Sequence, residues 1–195
     1  MTITYAKRQT AFDHAEHQWR AEADALVWIR PGGESVTILW RDVVAVRAAF
    51  APTRWKAWRH VLEIVTRQRL RLLIDNAHLR GVGDFEDRSE AFARFALTCI
   101  ARIAEAAPAA RGWLGAGWWN YLGQLGLAGA ALLLLAVVLV ALPADFGGSV
   151  LLKLGLIGAM LPLAAVWLVR SRPRRAPVYP AAFLPGLPEI ASKLL

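Results

Sequence analysis

Leu122-Gly-Gln-Leu-Gly-Leu-Ala-Gly-Ala-Ala-Leu-Leu-Leu-Leu-Ala-Val-Val-Leu-Val-Ala-Leu142 runs for 21 residues without an ionisable side chain, and Gln124 is its one strongly polar member. As a helix at ~1.5 Å per residue it is about 31 Å long, enough to cross a hydrocarbon core of roughly 30 Å. Val150 to Val169 adds a second run of 20 residues with Lys153 as its only charge. Pro143-Ala-Asp-Phe-Gly-Gly-Ser149 supplies turn-forming residues between the two. Apolar helices joined so tightly are expected to lie antiparallel. Neither carries the polar stripe of a surface helix, and too little chain precedes them to enclose both in a soluble core. The expectation is a two-helix transmembrane hairpin, with helices over 118–142 and 150–169 and a short external loop over 143–149.

Basic residues near the membrane ends set the orientation. Arg102 and Arg111 precede the first span; Arg170, Arg172, Arg174 and Arg175 follow the second; the loop carries only Asp145. Both termini are therefore expected in the cytoplasm, with the chain a multi-pass protein of the cytoplasmic (inner) membrane. Lys153 is placed to snorkel at the outer end of the second span. Trp113, Trp118, Trp119 and Tyr121 before and at the start of the first span, and Trp167 near the end of the second, fit an interfacial aromatic belt.

Working outward, residues 1–111 hold 17 Lys and Arg against 13 Asp and Glu, and residues 112–195 hold six against two, within a net charge of +8. The first half is thus mixed in sign, which argues against a nucleic-acid partner. Cys99 is the only cysteine, which rules out an intrachain disulfide and a cysteine metal cluster. Residues 1–20 contain no apolar core of the secretory type, so no cleavable signal is expected and insertion falls to the hairpin itself. Arginine outnumbers lysine 19 to four, a bias associated with GC-rich bacterial genomes.

Residues 1–22 admit a helix, a strand or an unstructured segment: Phe12, Ala15 and Trp19 have near-helical spacing without fixing it. From residue 23 the pattern is β. Leu26 to Arg30 is followed by the turn Pro31-Gly-Gly33, and in Ser35 to Trp40 the residues Val36, Ile38 and Trp40 alternate with Ser35, Thr37 and Leu39. Further strands are predicted at 42–50, 60–66 and 69–74, the last two joined tightly through Arg67-Gln68; Asn76 to Gly83 reads as a loop. Asp87 and Glu90 have capping-box spacing, with Ser89 a competing cap. The helix they open places Phe92, Phe95, Ala96, Cys99, Ile100 and Ile103 on one face and stops at Pro108. Cys99 on that face reads as packing. The predicted class is α+β: a small antiparallel barrel or sandwich over 23–110, capped by its C-terminal helix and followed by the hairpin.

Leu26-Val-Trp28, Trp40-Arg-Asp-Val-Val-Ala-Val46, the paired strands at 60–74 and the closing helix at 87–106 together make residues 20–107 resemble a bacterial pleckstrin-homology-like (GRAM-like) domain. Such domains in bacteria often accompany transmembrane helices. The resemblance implies a cytoplasmic binding or assembly module and brings no catalytic residues, because the family shares no active site.

Arg54-Trp-Lys-Ala-Trp-Arg59 is the most distinctive soluble stretch. Arg54, Lys56 and Arg59 are suited to lipid phosphates, while Trp55 and Trp58 are suited to the membrane interface. As a strand, however, the stretch mixes charge and indole on both faces, and the plainer reading has Trp58 packed inward and the charges solvated. His14-Ala-Glu-His17 lacks the spacing of a zinc helix, and Asp84, Glu86 and Asp87 lack the pattern of a calcium loop. No cofactor, metal or catalytic residue is expected. Gly123, Gly126, Gly129 and Ala130 in the first span, with Gly155 and Ala159 in the second, form small-residue faces for close helix packing. Their first assignment is contact within the hairpin, their second a homo-oligomer or a protein partner. Pro162 is expected to kink the second span, and no mid-depth charge marks an ion route. The tail, 170–195, is basic and proline-rich yet carries Val178, Phe183, Leu187, Ile190 and Leu194, too apolar for a solvated linker; it is expected to pack on the domain or the membrane. The sequence thus leads to a non-enzymatic module binding anionic lipid or a protein partner at the bilayer, or alternatively to a scaffold subunit assembled through its spans.

Overall fold

A computed structural model describes residues 2–141 and 150–195. The strands are β1 (Ile3–Lys7), β2 (His17–Ala21), β3 (Ala25–Ile29), β4 (Ser35–Leu39), β5 (Val43–Phe50) and β6 (His60–Thr66). They continue with β7 (Arg71–Asp75), β8 (Ala77–Gly81), β9 (Asp84–Asp87), β10 (Arg111–Leu114) and β11 (Arg174–Ala176). The helices are α1 (Ser89–Ala106), α2 (Trp118–Ala141), α3 (Val150–Ser171) and the single turn α4 (Pro180–Phe183). The chain divides into two units: residues 1–115 with 174–195, and residues 116–173.

The first unit is mixed α+β, built on two sheets that do not close into a barrel. One is an antiparallel meander in the order β1-β2-β3-β4; the other runs β11-β10-β5-β6-β7; a separate two-stranded ribbon pairs β8 with β9. Of the expected barrel or sandwich of antiparallel strands, the closed barrel is corrected, in two respects. Among the described residues no strand ladder joins the meander to the five-stranded sheet, and β10 lies parallel to β5, Arg111 opposite Ala45 and Leu114 opposite Ala48. Closure is pre-empted at that edge because β11 pairs with β10.

Sequence periodicity explains most of the strands. In β2, His17, Trp19 and Ala21 are buried while Gln18 and Arg20 face outward, the period of two that a half-buried strand requires. The spacing of Phe12, Ala15 and Trp19 therefore makes no helix; Phe12 and Ala15 lie in the loop between β1 and β2. At Pro31-Gly-Gly33 the chain reverses with Gly33 at φ +85°, a conformation glycine adopts without a Cβ penalty. The β6–β7 turn, from Arg67 to Leu70, is two residues wider on its far side than predicted. Thr66 N–H donates to the Leu70 carbonyl, and Arg69 takes a left-handed φ of 62°.

A core common to both sheets contains Trp19, Leu26, Trp40, Val46, Leu62 and Ile74, with α1 laid against it. Phe92, Phe95, Ala96, Cys99, Ile100 and Ile103 are all fully buried, the single face their spacing defines. Tyr5 stacks on Trp19 at 5.9 Å and on Phe95 at 5.6 Å between ring centroids. The predicted capping box does not form. Helix α1 starts at Ser89, and Arg88 stands at its cap without a side-chain capping hydrogen bond. Asp87 Oδ1 instead accepts from Ser89 N–H (2.9 Å) and Ser89 Oγ–H (2.6 Å), while Glu90 pairs forward with Arg94 at 2.5 Å. Residues 76–83, read as a loop, contain β8.

The tail returns to the first unit. Beyond β11, Phe183, Leu187 and Ala191 enter the core, and Val178, Leu184, Ile190 and Leu194 pack at its edge. Two glycines allow this approach. A Cβ on Gly112 would fall onto the Ala176 carbonyl, and one on Gly186 would sit 2.6 Å from the Ala48 carbonyl oxygen.

In the second unit, α2 and α3 touch, and Ala116 N–H donates to the Ser171 carbonyl (2.9 Å), so the start of α2 meets the end of α3. Among the described residues one helix, over Trp118–Val137, is long and apolar enough to cross a membrane; α3 supplies the shorter apolar stretch Gly158–Val169 with Pro162 inside it. The connecting loop 143–149 and the snorkelling side chain of Lys153 lie outside the described residues and side chains. Trp118 and Trp119 are exposed at the head of α2. Trp113 is not among them: it sits in β10 beneath the Arg175 guanidinium, 5.3 Å from the ring centroid.

Candidate lipid- and partner-binding surface

The stretch from Arg54 to Arg59 is neither strand nor open loop. It extends the β5–β6 hairpin: Ala51 N–H donates to the Arg59 carbonyl (2.9 Å), and Thr53 and Lys56 exchange both backbone hydrogen bonds at 3.1 Å. Arg54 and Trp55 form the two-residue tip. Trp55 is 66% exposed, with the Arg54 guanidinium 5.2 Å from its centroid. The five residues singled out in the sequence thus separate by role. Only Arg54 and Trp55 present themselves outward together. Trp58 is half-buried, and its carbonyl accepts from Asn76 Nδ2 (3.2 Å).

Arg59 is committed to a buried charge. Its Nε donates to Asp75 Oδ2 at 2.6 Å, and the Lys7 ammonium pairs with Asp75 Oδ1. Tyr5 OH donates to the Asp75 carbonyl (2.8 Å). Burial alone would raise the Asp75 carboxyl, but Lys7 and Arg59 outweigh it and hold the group below the ordinary carboxylate range. The Lys7 ammonium is lowered by burial, with Asp75 offsetting part of the shift. Two cations on one carboxylate leave this cluster net positive. Lys56 stands beside it with its Nζ 4.1 Å from the Phe85 centroid, and burial lowers it too. Sequence reasoning missed Lys7 and Asp75, because 68 residues separate them and no local pattern pairs them.

Two further turns carry an exposed apolar residue. Phe12 in the β1–β2 loop is 90% exposed and Val82 at the β8–β9 turn is 98% exposed. These loops are tied to one another. Leu79 N–H donates to the Arg8 carbonyl (3.0 Å), Arg8 N–H donates to His78 Nδ1 (3.0 Å), and Lys56 covers Phe85 on the strand opposite Leu79. Val82 between two glycines was a legible signal, an apolar residue at a turn where a solvated one is usual.

The histidines do not come together. His14 is exposed, whereas His17 is buried with Nδ1 accepting from Trp28 Nε1–H (3.2 Å) and Nε2 3.4 Å from Asp13. Burial lowers His17 and His78 below the ordinary imidazole value. In both, Nδ1 accepts from a neighbouring N–H, which fits the neutral ring. Two acidic residues of the 84–87 segment, Glu86 and Asp87, are likewise engaged. Glu86 pairs with Arg80 (3.0 Å) and Arg88 (3.6 Å), and Asp87 holds Asn76 and Ser89. Among the described residues no group of three metal-type ligands gathers. Burial pushes the Cys99 thiol up, which keeps it protonated and unreactive.

No protein-family model matches the chain, and no curated protein or solved structure does either.

In the second unit, Gly123, Gly126, Gly129 and Ala130 on α2, and Gly155 and Ala159 on α3, are exposed. A Cβ added at any of Gly123, Gly126, Gly129 or Gly155 would meet nothing within 4 Å. Among the described residues, nothing is packed against these small-residue faces.

Proposed function

We propose that this chain is a non-enzymatic, multi-pass protein of the cytoplasmic membrane, in which α2 and α3 form a transmembrane hairpin. The sheet unit, read as pleckstrin-homology-like from its strand order and closing helix, works as a binding module held at the bilayer. Both termini lie on the cytoplasmic side. The observation that supports this reading is the surface of α2: Leu127, Leu133 and Leu134 are 71%, 68% and 65% exposed on a helix without a charged side chain. A contiguous apolar surface of that extent is unfavourable in water by roughly 25 cal/mol per Å², and a bilayer removes the penalty.

Topology follows from the charge asymmetry and is directly testable. Single cysteines at Ser149 and Ser192, added to the chain in intact cells, report the two sides; buried Cys99 gives no background. A membrane-impermeant maleimide is expected to label Ser149→Cys in intact cells and Ser192→Cys only after permeabilisation. Labelling of Ser192→Cys in intact cells would invert the arrangement.

The open glycine faces favour a second reading, in which the chain is a scaffold subunit and α2 and α3 pack against other helices. Small residues permit close backbone approach between helices in lipid, and here that approach is available from outside the pair. Co-purification in mild detergent separates the readings: a stoichiometric partner supports the subunit, a lipid-dependent monomer the binding module.

A further inference from the structure

We infer that Phe12, Trp55 and Val82 form one three-point contact surface that dips into the head-group region of an anionic phospholipid bilayer. This inference rests on the membrane reading above and names what the sheet unit touches there. Three loops distant in sequence each end in an exposed apolar side chain, and hydrogen bonds and the Lys56–Phe85 contact tie them to one another. Isolated exposed apolar residues are ordinary, but three at the tips of adjoining turns are not. The cations beside them are Arg8, Arg54, Lys56 and Arg80. Among the described residues Arg54 is exposed and pairs with no carboxylate, whereas Arg80 is shared with Glu86; the carboxylates next to the tips are Asp13 beside Phe12 and exposed Asp84 beyond Val82. Behind them lies the net-positive cluster of Lys7, Arg59 and Asp75. Apolar tips backed by positive charge match the interface of an anionic leaflet, where indole and phenyl rings enter the head groups and cations meet phosphates.

Strand register places the Trp55 hairpin at the end of the sheet from which the chain departs. Gly115 N–H donates to the Ala48 carbonyl, two residues before the end of β5, and the 51–59 hairpin extends beyond that same end. Asp75 closes β7 opposite Val61, so β8 and its ribbon also begin there. From Gly115 to Trp118 is three residues, a reach of at most ~3.6 Å each. The far end of the sheet, at the Arg67–Arg69 turn, has no such tether.

The test uses the full chain in nanodiscs of phosphatidylcholine, with or without phosphatidylglycerol, and lipids brominated high on the acyl chain. An environment-sensitive fluorophore is attached to Phe12→Cys, Val82→Cys, Gln68→Cys or Leu133→Cys, one at a time. All four positions are exposed, so the fold is undisturbed. In anionic discs the probes at 12 and 82 are expected to shift to the blue and to be quenched about twofold or more strongly than in neutral discs. The probe at 68 stays unquenched, and added salt reverses the anionic increment. Quenching at 133 with none at 12 or 82 overturns this inference while leaving the membrane reading intact. No quenching at 133 overturns the membrane reading itself. Equal quenching in neutral and anionic discs removes the anionic selectivity, and concentration-dependent shielding of 12 and 82 in lipid-free detergent assigns the surface to a second copy instead.

Discussion

Phe183→Ala destabilises the first unit by about 3–5 kcal/mol, and removal of residues 176–195 does so by more. Phe183 is fully buried among side chains of the sheet and α1, although it lies 69 residues beyond Leu114, the last residue of β10. Truncation leaves a cavity whose lining has no other atoms to meet, and the deletion also withdraws Leu187 and Ala191 and removes Ala176 from its pairing with Gly112. Gly112→Ala attacks the same junction from the other side, since its methyl group would fall on the Ala176 carbonyl and crowd the Phe183 ring. Gly32→Ala, where nothing lies within 4 Å, is the matched control. Thermal unfolding in detergent, read from the emission of buried Trp19 and Trp40, is expected to show a fall in Tm of roughly 10 °C or more for Phe183→Ala. Gly32→Ala should leave it unchanged. A wild-type Tm in the Phe183 variant would mean that the tail does not belong to this core.

Asp75→Ala produces the second large effect, a loss of about 3–5 kcal/mol, because it strands the Lys7 ammonium in the interior and releases Arg59. Lys7→Met is expected to cost distinctly less. It leaves Asp75 still paired with Arg59, and the methionine chain fills the volume that the lysine stem occupies. The order of the two variants is the diagnostic: a simple loss of one ion pair would make them equal. Acid provides an independent reading. Asp75 is held below its ordinary value of 3.8, so it contributes stability that is present above that value and lost as pH falls through the lower folded-state value. Asp75→Asn lacks that contribution. Its Tm should lie below wild type at neutral pH and approach it only in strong acid. Parallel curves down to the lowest pH would show that the carboxylate charge contributes nothing.

What could be read in the sequence was whatever local periodicity dictates. The strands from Leu26 to Ile74 and the buried face of α1 follow from side-chain alternation at two and 3.6 residues, and the apolar run at 122–142 follows from composition. The remainder depends on partners far along the chain. Residues 111–114 form a strand because β5 offers a free edge and Gly112 lets β11 close over it, neither of which the four residues announce. Asp87 was assigned to a capping box by spacing, but Asn76 and Ser89 claim its carboxylate in three dimensions. Within the candidate site, Trp55 and Arg54 were legible as an unusual pair. The withdrawal of Arg59 was not, because it depends on Asp75 across two strands.

We propose that helices α2 and α3 reside in a bilayer and carry the sheet unit with them. Alkaline carbonate extraction of membranes from cells expressing the full chain tests it most directly. The protein is expected to remain in the pellet and to be released only by detergent, while a variant with residues 116–173 replaced by a short polar linker moves to the supernatant. Recovery of the full chain in detergent-free buffer as a dispersed, folded monomer would contradict the account.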